Sequence, residues 1–103
     1  CRLYCLGFWG ENEGEVKAAG QAVLRLLERL LPAEYPELPV RLLGLAPANV
    51  LRVAGRYRYK LLIKGKNSPR MRELLWRLYT EPELAAPMRG VVLTIDPNYD
   101  SNL

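Results

Sequence analysis

The residues best able to do chemistry in this sequence are cations concentrated in residues 50–77. That segment has nine basic side chains and one acidic one, a net charge of +8, whereas residues 1–49 carry −1 and residues 78–103 carry −3. Clustered cations release counterions when a polyanion binds, and guanidinium groups can hold phosphate oxygens through paired hydrogen bonds. The clustering predicts a phosphate-binding surface. The alternative is a solvated strand face whose charges oppose aggregation.

The first set of candidate residues lies on and around a predicted strand. Between residues 56 and 64, tyrosine and aliphatic residues occupy one parity and basic residues the other, broken only by Leu62, which predicts a strand with one buried and one basic face. Tyr57 and Tyr59 share the parity of Leu61, so burial is favoured over a role as stacking platforms for bases. The candidate nucleic-acid-binding residues are Arg52, Arg56, Arg58, Lys60, Lys64 and Lys66.

The second set of candidates surrounds the start of a predicted helix. Ser68 is the expected N-cap and Pro69 the first helical residue. Cations beside the positive end of a helix dipole are unfavourable by themselves, so this position suits an arriving anion. Trp76 falls outside the apolar stripe of the helix and is an anchor for a peptide or base, or else packs against a neighbouring domain. The candidate partner-binding residues are Ser68, Arg70, Arg72 and Trp76.

The residue composition argues against catalysis and metal binding. There is no histidine, and the two cysteines, Cys1 and Cys5, lie too far apart on one predicted strand to form a disulfide. A zinc site and acid–base chemistry based on histidine therefore lack their usual ligands and groups. Asp96 precedes a proline and is interpreted as a turn or cap residue. We expect no enzyme activity, cofactor or metal in this chain, and the glycine spacing does not match a phosphate loop.

The elements that position these candidates follow from apolar spacing and turn residues. We predict strands at residues 2–9, 40–45, 56–64 and 91–96. A first helix, capped by Asn12, is predicted to end at Pro32, and a second begins at Pro69. A connection opened by residues 46–49 is expected to reach Gly55. The order predicts an α+β two-layer sandwich of ferredoxin-like βαββαβ topology with an antiparallel sheet.

The length allows one compact domain, predicted at residues 1–97, followed by a flexible tail at residues 98–103. The chain begins at Cys1, with no initiator Met and directly before a predicted strand, so we expect it to be a fragment of a larger protein. No apolar run is long enough to span a bilayer, and no signal peptide is evident. A cytoplasmic location is therefore expected.

Three segments resemble one known family. They are the sequence LGLAPA at residues 43–48, GRYRYKLLIK at residues 55–64 and IDP at residues 95–97. Their order and spacing resemble the C-terminal domain of the primosomal protein N-prime (PriA) family of replication-restart helicases, as does the opening CRLYCLGFWG. Ala46 stands where the family motif has proline, and Thr94 replaces the first aspartate of its closing motif.

This resemblance implies a fold similar to that of a ribosomal small-subunit protein. It implies a noncatalytic domain that binds forked or branched DNA and helps to dock the acidic tail of single-stranded DNA-binding protein. The matching residues are Gly55, Arg56, Tyr57 and Arg58, with the start of the second helix as a candidate partner surface. The implied parent is an ATP-dependent 3′–5′ DNA helicase of the bacterial nucleoid. Its ATP, magnesium and zinc would be bound by other domains, which are themselves expected partners of this one.

Two further readings of the residues stay open. A small-molecule regulatory or dimerisation module of the same topology would use loops and interfaces, and its binding would be largely indifferent to salt. An RNA-binding protein would be distinguished by contacts to the 2′-hydroxyl. Binding to DNA phosphates, in contrast, weakens steeply as salt is raised.

Overall fold

The computed structural model describes residues 2–97, except for the side chains of residues 49–51. The predicted order of strands and helices is confirmed, with one short additional 3-10 helix, η1. The elements are β1 (Arg2–Gly10), α1 (Glu13–Glu34), β2 (Val40–Val53), β3 (Arg56–Gly65), α2 (Pro69–Thr80), η1 (Pro82–Leu84) and β4 (Val92–Asp96). Cys1 and the predicted tail at residues 98–103 lie outside the described residues. The division into a domain and a tail stays a prediction.

The described strands form one four-stranded antiparallel sheet in the order β2-β3-β1-β4. The two central strands, β1 and β3, pair along their whole length, from Arg2 opposite Gly65 to Gly10 opposite Tyr57. This strand order, with one helix in each of two crossovers, confirms the predicted ferredoxin-like sandwich. No helix within residues 2–97 is long and apolar enough to cross a membrane.

The hydrophobic core lies between one face of the sheet and the two helices. On β1, Tyr4, Leu6 and Phe8 are buried while the residues between them are partly exposed. β3 follows the same alternation, which confirms the predicted buried parity. The buried residues of β3 and of the two helices are Tyr59, Leu61, Ile63, Gly65, Val16, Ala19, Gly20, Val23, Leu26, Leu27, Leu30, Met71, Leu74, Leu75 and Leu78. The opposite face of the sheet has no helix against it among the described elements.

Both helices begin at the predicted caps. The Asn12 side chain accepts a hydrogen bond from the Glu15 backbone N–H at 3.0 Å. Ser68 Oγ accepts one from the Met71 N–H at 3.1 Å, and Pro69 occupies the first turn. These side chains satisfy N–H groups that have no partner inside the helix, so each fixes where its helix starts.

The prediction that Pro32 ends α1 is wrong, because the helix continues to Glu34. A proline in the last turn loses only one backbone hydrogen bond. That loss is offset just beyond the helix, where the Tyr35 N–H donates to the Leu30 and Leu31 carbonyls at 3.3 and 3.1 Å. Tyr35 is also 98% buried, since its relative exposure is 2%, and this burial holds the end of the helix against the core.

The second strand is longer than predicted. Instead of ending at Leu45, β2 continues to Val53, so residues 46–49 lie within the strand and not in a connection. The register with β3 shifts between Leu42 and Gly44 and again between Pro47 and Arg52, and such irregularities interrupt the alternation that marks a strand in sequence. The hairpin turns at Ala54 and Gly55, both with positive φ, the geometry that matches the twist of paired strands.

Candidate nucleic-acid interface

A row of cations lies on the sheet face opposite the helices, called here the open face. On β3, the buried residues alternate with side chains that point to the open face, and these are Arg56, Arg58, Lys60, Leu62 and Lys64. Alternate residues of a strand are about 6.6 Å apart, so the row is roughly 26 Å long. Lys66 lies in the loop that follows β3, beyond the Lys64 end of the row. The structure thus brings together four of the predicted basic residues and places a fifth next to them.

Arg41 belongs to the same surface, and the sequence analysis missed it. It is exposed on β2 and lies directly opposite Lys64, so the two cations share the open face. Like charges directly opposite each other destabilise a sheet. Arg41 lies outside the basic segment in sequence, so only the pairing of β2 with β3 reveals it. A polyanion bound to this face would attract both Arg41 and Lys64 and so offset the repulsion between them.

A groove of about 810 Å³ runs along the open face. Its floor includes Cys5, Gly7 and Trp9 of β1, and Arg58 and Lys60 of β3 line it from one side. Gly7 has no side chain to cover the floor, and a Cβ atom added there would lie 2.6 Å from Thr94 Oγ1. The groove therefore combines an apolar floor with a basic wall.

The opposite wall of the groove contains one carboxylate. Asp96, the last residue of β4, lines the groove and lies directly opposite Cys5 in the pairing of β4 with β1. It was interpreted from the sequence as a turn or cap residue, and the structure places it at the end of a strand. Burial raises the pKa of the Cys5 thiol; Lys60 opposes this shift and Asp96 adds to it. The thiol therefore stays protonated near neutral pH, and the positive charge of the wall is not cancelled by a thiolate.

Two arginines of the hairpin stack on aromatic rings, on different faces. The Arg56 guanidinium lies 5.1 Å from the centre of the Trp9 ring, inside the groove region. Arg52 lies 5.3 Å from the centre of the Tyr57 ring, and Tyr57 is partly buried against the core. Arg52 was predicted with the phosphate-binding residues, but its partner ring has the parity of the helix side. The structure does not bring Arg52 into the basic row.

A hydrogen bond on the helix side of the sheet links β3 to α1. The Tyr59 hydroxyl donates to Glu13 Oε2 at 2.8 Å, and this hydrogen bond raises the pKa of Tyr59. The predicted burial of Tyr59 is confirmed, since it is 6% exposed. With Tyr59 held on one side, its neighbours Arg58 and Lys60 must point to the other.

The predicted partner-binding residues do not form one cluster, because Arg70 is held by the end of α1. Arg70 Nε donates to Glu37 Oε1 at 2.9 Å and Nη2 donates to the Glu34 carbonyl at 2.7 Å. Nη1 donates to Glu73 Oε2 at 2.5 Å, and the guanidinium lies 4.2 Å from the centre of the Tyr35 ring. The Glu37 carboxylate raises the pKa of Arg70. Arg70 joins α2 to α1, and its charge is already matched by two carboxylates.

Arg77 is compensated in the same way. Its guanidinium donates to Glu34 Oε1 at 2.8 Å and to Glu81 Oε2 at 3.2 Å, and the bond to Glu34 raises the pKa of Arg77 and lowers that of Glu34. Arg70 and Arg77 are thus both paired with carboxylates near the helix ends. Arg56, Arg58 and Lys64 lie exposed on the open face.

The remaining partner-binding candidates form a stripe along the outer side of α2. Arg72, Trp76 and Tyr79 follow helical spacing, and Arg72 Nη1 donates to Asn67 Oδ1 at 3.2 Å. The predicted exposure of Trp76 is confirmed: it is 67% exposed and lies 6.0 Å from Tyr79, ring centre to ring centre, with Tyr79 itself 50% exposed. Ser68 lies at the start of the helix, where its hydroxyl caps Met71. Tyr79, which the sequence reasoning did not single out, joins the candidates because it is exposed beside Trp76.

Within residues 2–97, no group of three or more histidine, cysteine, aspartate or glutamate side chains is arranged to hold a metal ion. Cys5 is a free cysteine.

Solved structures confirm the class of fold. A de novo designed protein with a ferredoxin fold matches 97% of this chain and 86% of its own, with a TM-score of 0.60 and 13% identity. A hydantoinase/carbamoylase family amidase from Burkholderia ambifaria matches 97% of this chain over 27% of its own, with a TM-score of 0.62 and 16% identity. At such low identity the likeness concerns the fold alone.

Sequence comparison shows the family. Residues 1–98 match the family described as the primosomal protein N C-terminal domain, and the chain belongs to that family. The replication restart protein PriA of Synechocystis sp. (strain ATCC 27184 / PCC 6803 / Kazusa) is 46% identical over 63 residues, which are 61% of this chain and 7% of that protein. The resemblance found in the sequence motifs is thereby confirmed, and the chain corresponds to a small part of a much longer relative.

Proposed function

We propose that this chain is the noncatalytic C-terminal domain of a replication-restart helicase and that it binds forked or branched DNA through its open face. The observation that supports this most is the cation row of β3 extended by Arg41, with Asp96 as the acidic strand residue of that face within residues 2–97. A fold gains nothing from opposing cations such as Arg41 and Lys64. A phosphate backbone would neutralise them and release counterions.

The contribution of the rest of the parent protein is also part of this proposal. ATP hydrolysis, strand separation and the binding of magnesium and zinc would reside in other domains of a bacterial 3′–5′ helicase in the cytoplasm, close to the nucleoid. One small basic face gives an affinity near the nonspecific range, roughly 10⁻⁴ to 10⁻⁶ M. The other domains would raise the effective affinity by holding this face close to the same DNA.

The DNA-binding proposal predicts a steep dependence on salt. Fluorescence anisotropy of a labelled DNA fork would be measured at several salt concentrations with the chain and with its Arg56→Ala/Arg58→Ala/Lys60→Ala variant. Removing three phosphate contacts is expected to weaken binding and to reduce the slope of log affinity against log salt by about 2 to 3. Unchanged affinity and slope in the variant would contradict the assignment.

The groove gives the alternative function a specific basis. Its volume of about 810 Å³ lies in the range of small-molecule sites, so a regulatory module that binds a small ligand is the second candidate. Such a module would show little DNA binding at low salt, and its ligand affinity would change little as salt increases. The same anisotropy titration therefore separates the two functions.

We further propose that the stripe of Arg72, Trp76 and Tyr79 binds the acidic tail of single-stranded DNA-binding protein. Arg72 would pair with a carboxylate, and the two exposed rings would hold apolar side chains. This assignment replaces Arg70, whose guanidinium is occupied by Glu37 and Glu73.

A tail-peptide titration tests the stripe. Trp76→Ala is expected to reduce the affinity for a synthetic acidic tail peptide by about tenfold or more, because exposed tryptophans at interface centres commonly contribute above about 1 to 2 kcal/mol. Trp76→Phe should lose less, and Arg58→Ala on the open face should bind the peptide like the unmodified chain. Isothermal titration calorimetry measures all four. Equal loss in Trp76→Ala and Arg58→Ala would show that the peptide uses the open face instead.

A further inference from the structure

We propose that the groove of the open face holds an unpaired nucleotide of single-stranded DNA, with its base stacked on Trp9 and its phosphates on the cations of β3. This inference rests on the proposed DNA binding and adds which form of DNA the groove takes. It concerns Trp9, Gly7 and the wall formed by Arg58 and Lys60.

Trp9 is placed to stack a planar group. It lies on the central strand β1, points to the open face opposite Arg58 and Val92, and is partly exposed. The Arg56 guanidinium, itself a planar group, already lies 5.1 Å from the ring centre. The indole ring therefore already stacks a planar group, the Arg56 guanidinium, which a base would have to displace.

Replacement of the Arg56 guanidinium by a base on the Trp9 ring is expected to be favourable. A cation–π contact at an exposed site is worth roughly a two- to fivefold change in affinity, whereas stacking a base on an aromatic ring is worth roughly 5- to 150-fold. The displaced Arg56 would keep its charge and could move to a phosphate. The contact between Arg56 and Trp9 is lost, whereas a base stacked on Trp9 and a contact between Arg56 and a phosphate are gained.

The surroundings of Trp9 fit the sugar and phosphate of the same nucleotide. Gly7 lies two residues along β1 from Trp9 on the same face, about 6.6 Å away. Lys60 and Thr94 lie opposite Gly7 on its two sides, and Thr94 Oγ1 lies 2.6 Å from the position that a Cβ atom of Gly7 would take. The nucleotide would therefore extend from Trp9 along the β3 side of Gly7, where its phosphate would lie over the β3 wall.

The groove fits one strand better than two. Asp96 lines it from β4, on the other side of β1 from the cation row. A duplex presents a second row of phosphates and keeps its bases stacked inside, whereas a single strand presents one row and free base faces. In RNA-recognition modules, a four-stranded sheet likewise stacks unpaired bases on its aromatic residues.

Trp9 fluorescence tests this directly. The chain has two tryptophans, so a Trp76→Phe variant reports from Trp9 alone. Titration with oligothymidylate is expected to quench the emission, and a duplex of matched length is expected to leave it nearly unchanged. Trp9→Leu, which keeps apolar bulk but removes the ring, is expected to lower single-strand affinity roughly 5- to 150-fold in anisotropy, with Trp9→Phe retaining most of the affinity.

The outcomes separate this inference from the DNA-binding proposal. If Trp9→Leu binds oligothymidylate as tightly as the unmodified chain, or if duplex quenches Trp9 as strongly, the stacking inference is overturned while salt-sensitive DNA binding stands. Tighter binding of oligouridylate than of oligothymidylate would overturn DNA as the ligand. If the unmodified chain binds no DNA even at low salt, both the stacking inference and the DNA-binding proposal are overturned. The fluorescence arm keeps the native Trp9, so it remains decisive even if Trp9→Leu does not fold.

Discussion

Replacing Arg58 and Lys64 by glutamate is expected to reduce the affinity for forked DNA roughly 100-fold or more at low salt. Each substitution removes a charge-assisted contact worth about 1.5 to 3 kcal/mol and adds a repulsive carboxylate to the same position. Both residues are exposed on the open face, so the core is not disturbed. Fluorescence anisotropy of a labelled fork measures the loss.

The matched control reverses the charge of two arginines that lie outside the open face. Arg25→Glu/Arg89→Glu changes the net charge by the same amount, and both arginines are exposed and lie outside the open-face strands. If the open face binds DNA, this control loses far less affinity than Arg58→Glu/Lys64→Glu. Equal losses would show that binding follows total charge and that no particular face is used.

Phe8→Ala is expected to destabilise the fold by about 3 to 5 kcal/mol, a large share of the roughly 5 to 15 kcal/mol typical of a domain. Phe8 is fully buried on β1, where it belongs to the core between the sheet and the helices. Urea denaturation followed by circular dichroism gives the change in unfolding free energy.

Phe8→Leu is the control for this substitution, since it retains most of the apolar volume and should lose less stability. The result also tests the open face, because Phe8 and Trp9 are neighbours that point to opposite sides of β1. If Phe8→Ala unfolded at the same urea concentration as the unmodified chain, the orientation of β1 would be wrong. Trp9 and Gly7 would then not lie on the open face.

The parts of the fold that were predictable are those with uninterrupted local signals. β3 alternates over most of its length, so both its extent and its basic face followed from periodicity. The starts of the helices followed from Asn12 and Ser68, whose side chains bond to the backbone within three residues. Local chemistry decides such features, and distant packing does not alter them.

The parts that were not predictable depend on residues far apart in sequence. α1 continues past Pro32 because Tyr35 is buried in the core, and β2 continues past Leu45 because β3 pairs with it through register shifts. Neither partner is visible from the local pattern. Tertiary packing overrides a helix breaker in the first case and a broken alternation in the second.

The candidate site shows the same division. Arg58, Lys60 and Lys64 were found because one strand carries them, whereas Arg41 joins them only through strand pairing. Arg70 was interpreted as an anion receptor from its place at the helix start. In the folded chain it faces Glu37, which is distant in sequence. A cluster of charges in the sequence thus identifies the basic segment at residues 50–77. The pairing of strands and helices decides which of its cations lie together on one face.

Chemical-shift mapping is the measurement that tests the open face most directly. A ¹⁵N-labelled chain would be titrated with oligothymidylate, and the shift of each backbone amide would be followed in two-dimensional NMR spectra. If the open face binds the strand, the largest changes fall on β1 and β3 around Gly7, Trp9 and Arg58, with small changes on α1. Changes concentrated on the helices, with the central strands unaffected, would contradict binding through the open face.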